Sequence, residues 1–212
     1  AGIWVRDSSA GVGTLTFVDE STGIFAGLGH SISDADTGES IALRTGEIVP
    51  CRIVGCQKGI AGSPGELQGQ FSGTLAVGTI RANGATGVYG TTRSAFSGTQ
   101  MEVAFSQEVT EGPAQILTTV SGEDPALYAV EIEHVRAGAD AENRNLVIRV
   151  TDPALLEFTG GIVQGMSGSP IVQDGKLVGA VTHVFVNNPT KGYGLYADWM
   201  LQQIDSADKT IK

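Results

Sequence analysis

One stretch limits what this chain can become: Gly160-Gly161-Ile162-Val163-Gln164-Gly165-Met166-Ser167-Gly168-Ser169-Pro170, continuing through Ile171-Val172-Gln173-Asp174-Gly175-Lys176-Leu177-Val178-Gly179. A serine flanked by glycines suits a nucleophile, because glycine lets the backbone turn tightly and present the hydroxyl at a loop tip. The same turn can aim the amide N–H groups of Gly165 and Ser167 at one point, as an oxyanion hole requires. Downstream, Ile171-Val172 and Leu177–Val181 flank Asp174-Gly175, which predicts a tight β-hairpin. An isolated match of this kind is more often a plain Gly/Ser loop between strands. The rest of the chain must therefore supply the partners.

Composition sets the frame for those partners. The 212 residues include 30 glycines, with 41% hydrophobic and only 6% aromatic residues. That mixture fits many short strands and tight turns, as one large β domain or two small barrels sharing a core. The formal net charge is -10, and an acidic surface repels phosphate, which excludes nucleic acid as a partner. No apolar run approaches the roughly 20 residues needed to cross a bilayer as a helix. No basic, apolar leader opens the chain, and the abrupt start at Ala1-Gly2-Ile3-Trp4 suggests an excised or processed domain. Cys51 and Cys56 would lie roughly 16 Å apart on one extended strand. That is too far for a disulfide without a turn at Gly55, so both are read as free thiols.

Taken in order, strands are predicted at Ile3–Val5, Gly13–Val18, Ile24–Gly29, Ile41–Leu43, Glu47–Val54, Gly69–Ile80, Gly87–Thr91, Gln100–Phe105, Ala114–Val120, Tyr128–Val135 and Asn145–Val150. The run Pro153–Thr159 has helix grammar, with Asp152 at the N-cap, Pro153 at the first helical position and Gly160 just past the end. After the hairpin, Tyr193–Tyr196 reads as a strand and Asp198–Ala207 as a short amphipathic helix. The fold class is mostly β.

A serine hydroxyl needs an imidazole to take its proton and a group to fix that imidazole's tautomer. The chain has three histidines. His134 alternates with Glu131 and Glu133 and reads as solvent-facing. His183 follows the hairpin. His30 ends the small-residue run Ala26-Gly27-Leu28-Gly29, where glycines let another segment approach closely, and it is the candidate base. A neutral imidazole in this role predicts a rate that rises through one ionisation at about pH 6 to 8. The acid stays open among three possibilities. Asp152 is preferred, because a strand and a helix position it and that helix leads into the serine loop; its other role is the helix cap. Asp34 or Asp36 stands close to His30 in sequence but is also suited to stabilising its own turn. A dyad without an acid is the third possibility. Histidine and cysteine occur nowhere at ligand spacing, and hydrolysis needs only water, so no metal or cofactor is expected.

The run Gly165–Phe185 resembles the nucleophile segment of trypsin-like serine proteases, whose Gly-Asp-Ser-Gly-Gly-Pro turn precedes a hairpin and a substrate-lining strand. The resemblance implies a double β-barrel of short antiparallel strands, with short helices before the nucleophile loop and at the C-terminus. It implies Ser167 as nucleophile, Gly165 and Ser167 as oxyanion donors, and Thr182, His183 and Val184 as a strand edge that pairs with an extended peptide. Met166 departs from the pattern, standing where trypsin-like zymogens carry an activating aspartate. Gly161, near the place of the charge in their primary pocket, implies that no fixed carboxylate selects Lys or Arg.

A closer resemblance spans nearly the whole chain. Gly2–Ser8, Gly27-Leu28-Gly29-His30, Asp34-Ala35-Asp36-Thr37-Gly38, Gly160–Pro170 and Gly179–Asn187 are similar to successive blocks of the stage IV sporulation protein B peptidase family. This implies His30, Ser167 and Asp152 as the catalytic set, in a single peptidase domain over residues 1–212. Full-length members add an N-terminal membrane anchor and a PDZ domain, which this chain does not include. The family's activity implies a protein substrate: a membrane-bound regulator whose cleavage permits pro-sigma-K processing. It also implies secretion from the forespore into the space facing the mother cell, with membrane association only through the missing segments. Two other readings use the same fold: a catalytically inactive peptide-binding module and a purely structural sporulation protein.

Overall fold

A computed structural model describes residues 10–33, 37, 39–43, 45–92, 94, 98–138 and 144–211, with side chains through residue 204. The strand expected at Ile3–Val5 and the candidates Asp34 and Asp36 lie outside the described residues.

In chain order the strands are β1 (Leu15–Asp19), β2 (Ile24–Gly27), β3 (Gly46–Ile48), β4 (Cys51–Gln57), β5 (Glu66–Phe71), β6 (Gly78–Gly84), β7 (Gly87–Thr92), β8 (Gly112–Thr118), β9 (Ala126–Val135) and β10 (Leu146–Val150). Helix α1 (Pro153–Thr159) follows, then β11 (Pro170–Gln173), β12 (Lys176–Val184), β13 (Lys191–Tyr196) and helix α2 (Ala197–Ile211). The second half closes into a barrel in the order β10-β13-β12-β11-β8-β9. The first half forms a five-stranded sheet, β1-β2-β7-β6-β3, and a two-stranded ribbon, β4-β5. The mostly-β, trypsin-like expectation is met, with one closed barrel and a second antiparallel sheet beside it.

Local grammar accounts for several boundaries. Asp174 and Gly175 both take positive φ, 51° and 79°, at the β11–β12 turn, the primed geometry that matches strand twist. Asp152 caps α1 and Gly160 ends it in the left-handed conformation. Four strand expectations need correction. Glu47–Val54 breaks at Val49-Pro50 into β3 and β4, since proline cannot donate to a ladder. Gly69–Ile80 breaks into β5 and β6 around the polar turn at Ser72-Gly73-Thr74. Ile41–Leu43 is not a strand, and Gln100–Phe105 contributes only an isolated bridge from Val103 to Leu177. Cys51 and Cys56 are free thiols.

Burial explains how the halves join. The barrel core gathers Ile116, Ile132, Leu146, Ile148, Ile171 and Val181 with Leu155 of α1, and the ribbon adds Ile53 and Leu67. Strand β2 is buried on both faces. Phe25 packs with Ile80 and Val88 inside the first sheet. Its neighbours Ile24 and Ala26 pack with Ala180 and Leu195 of the barrel and Met200 and Ile204 of α2. With β2 pinned between the two cores, the turn that follows it emerges at their junction.

Candidate active site

The serine loop is strapped to both halves. Gly168 N–H donates to Val181 O at 2.8 Å and Val181 N–H to Ser169 O at 2.9 Å, which fixes the loop on β12. From the other side Thr14 N–H donates to Ser167 O at 2.8 Å, and the Thr16 hydroxyl donates to Gly168 O at 2.8 Å. Met166 is fully buried and anchors the loop in the barrel core. Gly168 is required here twice over. Its φ is +88°, and a Cβ would overlap Thr14 O and lie 2.6 Å from Leu28 N. The loop can therefore rest directly on the segment that leads to His30.

That segment is itself unusual. Leu28 and Gly29 both have φ near +70°, and a left-handed leucine costs about 1–2 kcal/mol. Local strain of this kind persists only where the surroundings over-determine it. Here Leu28 N–H is tied to Thr14 O at 3.2 Å, and a Cβ on Gly29 would lie 3.0 Å from Thr182 Cγ2. His30, the next residue, stacks its ring on that of His183, with centroids 4.7 Å apart and planes at 34°.

His30 Nδ1 lies 2.8 Å from Ser31 O. A carbonyl can only accept, so Nδ1 carries the hydrogen and the neutral ring presents Nε2 as its lone-pair nitrogen. Burial holds the His30 pKa below its ordinary value, partly opposed by the bond to Ser31 O. His183 is pushed down to about 4, by burial first and then by the positive charges of His30 and Arg144. Both rings are therefore neutral at neutral pH. The loop after His30 is clamped to β6 by Asn83, whose side chain accepts from Ile32 N–H at 2.8 Å and donates to Ile32 O at 2.9 Å and Ile41 O at 3.0 Å.

The Ser167 hydroxyl donates to Thr182 O at 2.9 Å. Among the described residues it makes no hydrogen bond to His30, and the N–H groups of Gly165 and Ser167 have no protein acceptor. The β12–β13 pairing is irregular between Val181 and Val184, so Thr182, His183 and Val184 run past Ser167 out of regular register. Of these, Thr182 is buried and His183 exposed.

Asp152 is placed elsewhere in the barrel. Its Oδ1 accepts from Ala154 N–H at 2.9 Å and Leu155 N–H at 3.1 Å. Oδ2 accepts from Ala129 N–H of β9 at 3.3 Å. No hydrogen bond or ion pair joins it to His30, so the expected carboxylate–imidazole contact is not made. His134 sits on β9, 3.5 Å from Glu111 and well exposed. The structure thus brings together His30, Ser167, Thr182 and His183, with two unbonded amides at the serine loop.

The family model described as SpoIVB peptidase S55 matches residues 1–201. The chain belongs to this family and is a peptidase of it. No curated protein matches the chain. Within this SpoIVB-type peptidase, three features at the site have no sequence signal of the usual kind. The Ser31 carbonyl is a backbone atom, and any residue would offer it. The His30–His183 stack joins residues far apart in the chain. Asn83 lies past Ile80, where the patterning predicts no strand, on the observed extension of β6 to Gly84. Only the left-handed Leu28 leaves a faint mark, in the glycines on either side of it.

Proposed function

We propose that this chain is a serine endopeptidase in which Ser167 attacks the peptide carbonyl and His30 serves as base. The observation that carries the reading is a neutral His30, its Nδ1–H spent on Ser31 O, at the junction where the Ser167 hydroxyl lies. An extended substrate laid along Thr182–Val184 would offer its own N–H to Thr182 O, displacing the Ser167 hydroxyl from that acceptor toward His30 Nε2. The Ser167 Oγ–carbon bond then forms as His30 takes the proton, and the carbonyl electron pair moves onto oxygen. Gly165 N–H and Ser167 N–H are available to that oxyanion. Imidazolium returns the proton to the leaving nitrogen as the C–N bond breaks, and water releases the acyl group by the same steps. In this scheme the Ser31 carbonyl orients the imidazole. Asp152 contributes by holding α1, and through it the serine loop, against β9.

A fluorophosphonate probe tests the reading. Labelling of the native chain at Ser167, absent in Ser167→Ala and in His30→Ala, is the expected result. The second reading, a catalytically inactive peptide-binding module, draws on the Ser167 hydroxyl being bonded to Thr182 O rather than to His30. An unlabelled native chain that still binds extended peptides would select it. From family membership we further propose a membrane-bound regulatory protein as substrate, in the compartment outside the forespore. Cleavage of the membrane-embedded regulator in a reconstituted assay, lost in Ser167→Ala, is its test.

A further inference from the structure

Resting on the nucleophile assignment above, we propose that Ile162 fills the floor of the primary substrate pocket, so that the residue contributing the attacked carbonyl must be small, glycine or alanine. The direction of that residue's side chain follows from its other attachments. Its carbonyl oxygen is directed to Gly165 N–H and Ser167 N–H, its N–H faces Thr182 O, and the preceding residue runs along Thr182–Val184. The one remaining bond from its Cα points between the loop 161–165 and the strand segment 182–184, toward β13.

That space is occupied by the protein itself. Ile162 is 2% exposed and its N–H is fixed to Pro189 O at 2.8 Å. A Cβ added to Gly192 on β13 would lie 2.5 Å from Ile162 Cδ1 and 2.8 Å from His183 O. Gly161 is packed against the Pro189 backbone with φ +135°, so no side chain can be accommodated there either. The isoleucine thus spans from the serine-bearing loop to the bare backbone of Gly192, directly beneath the segment that takes the substrate. Among the described residues, those shown closing this space are apolar or backbone, with no carboxylate to hold a Lys or Arg side chain. A methyl group or hydrogen fits above such a floor, whereas a leucine, phenylalanine or lysine side chain would have to displace it.

The test uses peptidyl diphenyl phosphonates that differ only in the residue bonded to phosphorus: glycine, alanine, leucine, phenylalanine or lysine. Ser167 Oγ attacks phosphorus, a P–O bond to one phenoxy group breaks, and phenol departs with the serine proton relayed through His30. Mass spectrometry of the labelled chain gives each rate. The glycine and alanine probes are expected to label at least tenfold faster than the other three. Ile162→Ala should shrink that ratio at least tenfold by accelerating the leucine probe, and Ile162→Val, which removes only Cδ1, should move it the same way by less. Equal or faster labelling by leucine, phenylalanine or lysine in the native chain overturns the proposal. So does an unchanged rate ratio in the Ile162→Val variant, which keeps a β-branched core residue should the alanine variant fail to fold. If neither these probes nor a fluorophosphonate label Ser167, the peptidase reading itself falls. Fluorophosphonate labelling with the wrong side-chain ranking overturns only the pocket.

Discussion

The two sides of the candidate site are built differently. The nucleophile's side belongs to a closed barrel, where every strand has two neighbours and the serine loop is tied by main-chain bonds at Thr14, Val181 and Ser169. The His30 side hangs from the end of β2, on two left-handed residues, one carbonyl contact, one ring stack and the Asn83 clamp on the loop that follows. A barrel has no edge to fray, whereas a turn held by a few contacts can shift when one is lost. Ser167 is thus held by barrel pairing, and His30 by a set of individual loop and side-chain contacts.

Removing either partner outright gives the largest expected effect. Ser167→Ala and His30→Ala should each lower kcat by about a million-fold and be no worse in combination, since such residues act as a unit. Additive losses in the double variant would break the pairing. Next comes the joint between the sides. Gly168→Ala forces a side chain into a left-handed backbone, worth about 1–3 kcal/mol, and into Thr14 O and Leu28 N. Both the melting temperature and kcat should fall, and a native melting curve with full turnover would show that the halves need not touch there.

On the His30 side, Asn83→Ala removes the hydrogen bonds to Ile32, Ser40 and Ile41 that hold the loop carrying Ser31 O. With each worth on the order of 1 kcal/mol, kcat/KM should drop about tenfold or more while fluorophosphonate still finds Ser167. On the barrel side, Asp152→Asn keeps a competent cap, whereas Asp152→Ala loses about 1 kcal/mol of helix stability. Turnover in the asparagine variant should stay within about tenfold of native. A loss of several orders of magnitude in a normally folded Asp152→Asn chain would return its carboxylate to the chemistry.

The smallest expected effect is a shift in pH dependence. Because burial lowers the His30 pKa, the acid limb of kcat/KM should have its midpoint below the ordinary histidine value of about 6.5. This refines the wider interval expected from sequence. His183→Ala uncovers the His30 ring and should move the midpoint up toward 6.5, whereas His183→Phe keeps the stack and should move it less. Stability follows the same sign. The folded pKa of His183, about 4, lies below its unfolded value, so the unfolded chain binds more protons between them. Its contribution is complete above about pH 6.5 and is lost as the pH falls toward 4. Thermal melts of the native chain should therefore weaken more between pH 7 and pH 5 than those of His183→Phe.

Much of this was legible in sequence because it depends on neighbours in the chain. Asp174-Gly175 specifies its own hairpin, Asp152-Pro153 and Gly160 specify α1, and alternation marks β9. Serine among glycines and a histidine ending a small-residue run likewise announced Ser167 and His30. The misread strands failed where a break is local but weak, as at Ser72-Gly73-Thr74, or where apolar alternation at Gln100–Phe105 found only a bridge to pair with.

The sequence by itself determined most element types, the glycine positions that permit close approach, and the two candidate residues Ser167 and His30, because backbone propensity and turn geometry are encoded within a few residues. Only the tertiary structure decided that Ser31 O rather than Asp152 meets His30, that His183 lies on its ring, and that Ile162 reaches Gly192. These contacts join residues brought together by closing the barrel and docking the first sheet on it. A carbonyl has no identity in a sequence, and an isoleucine's direction is set by the backbone it packs against.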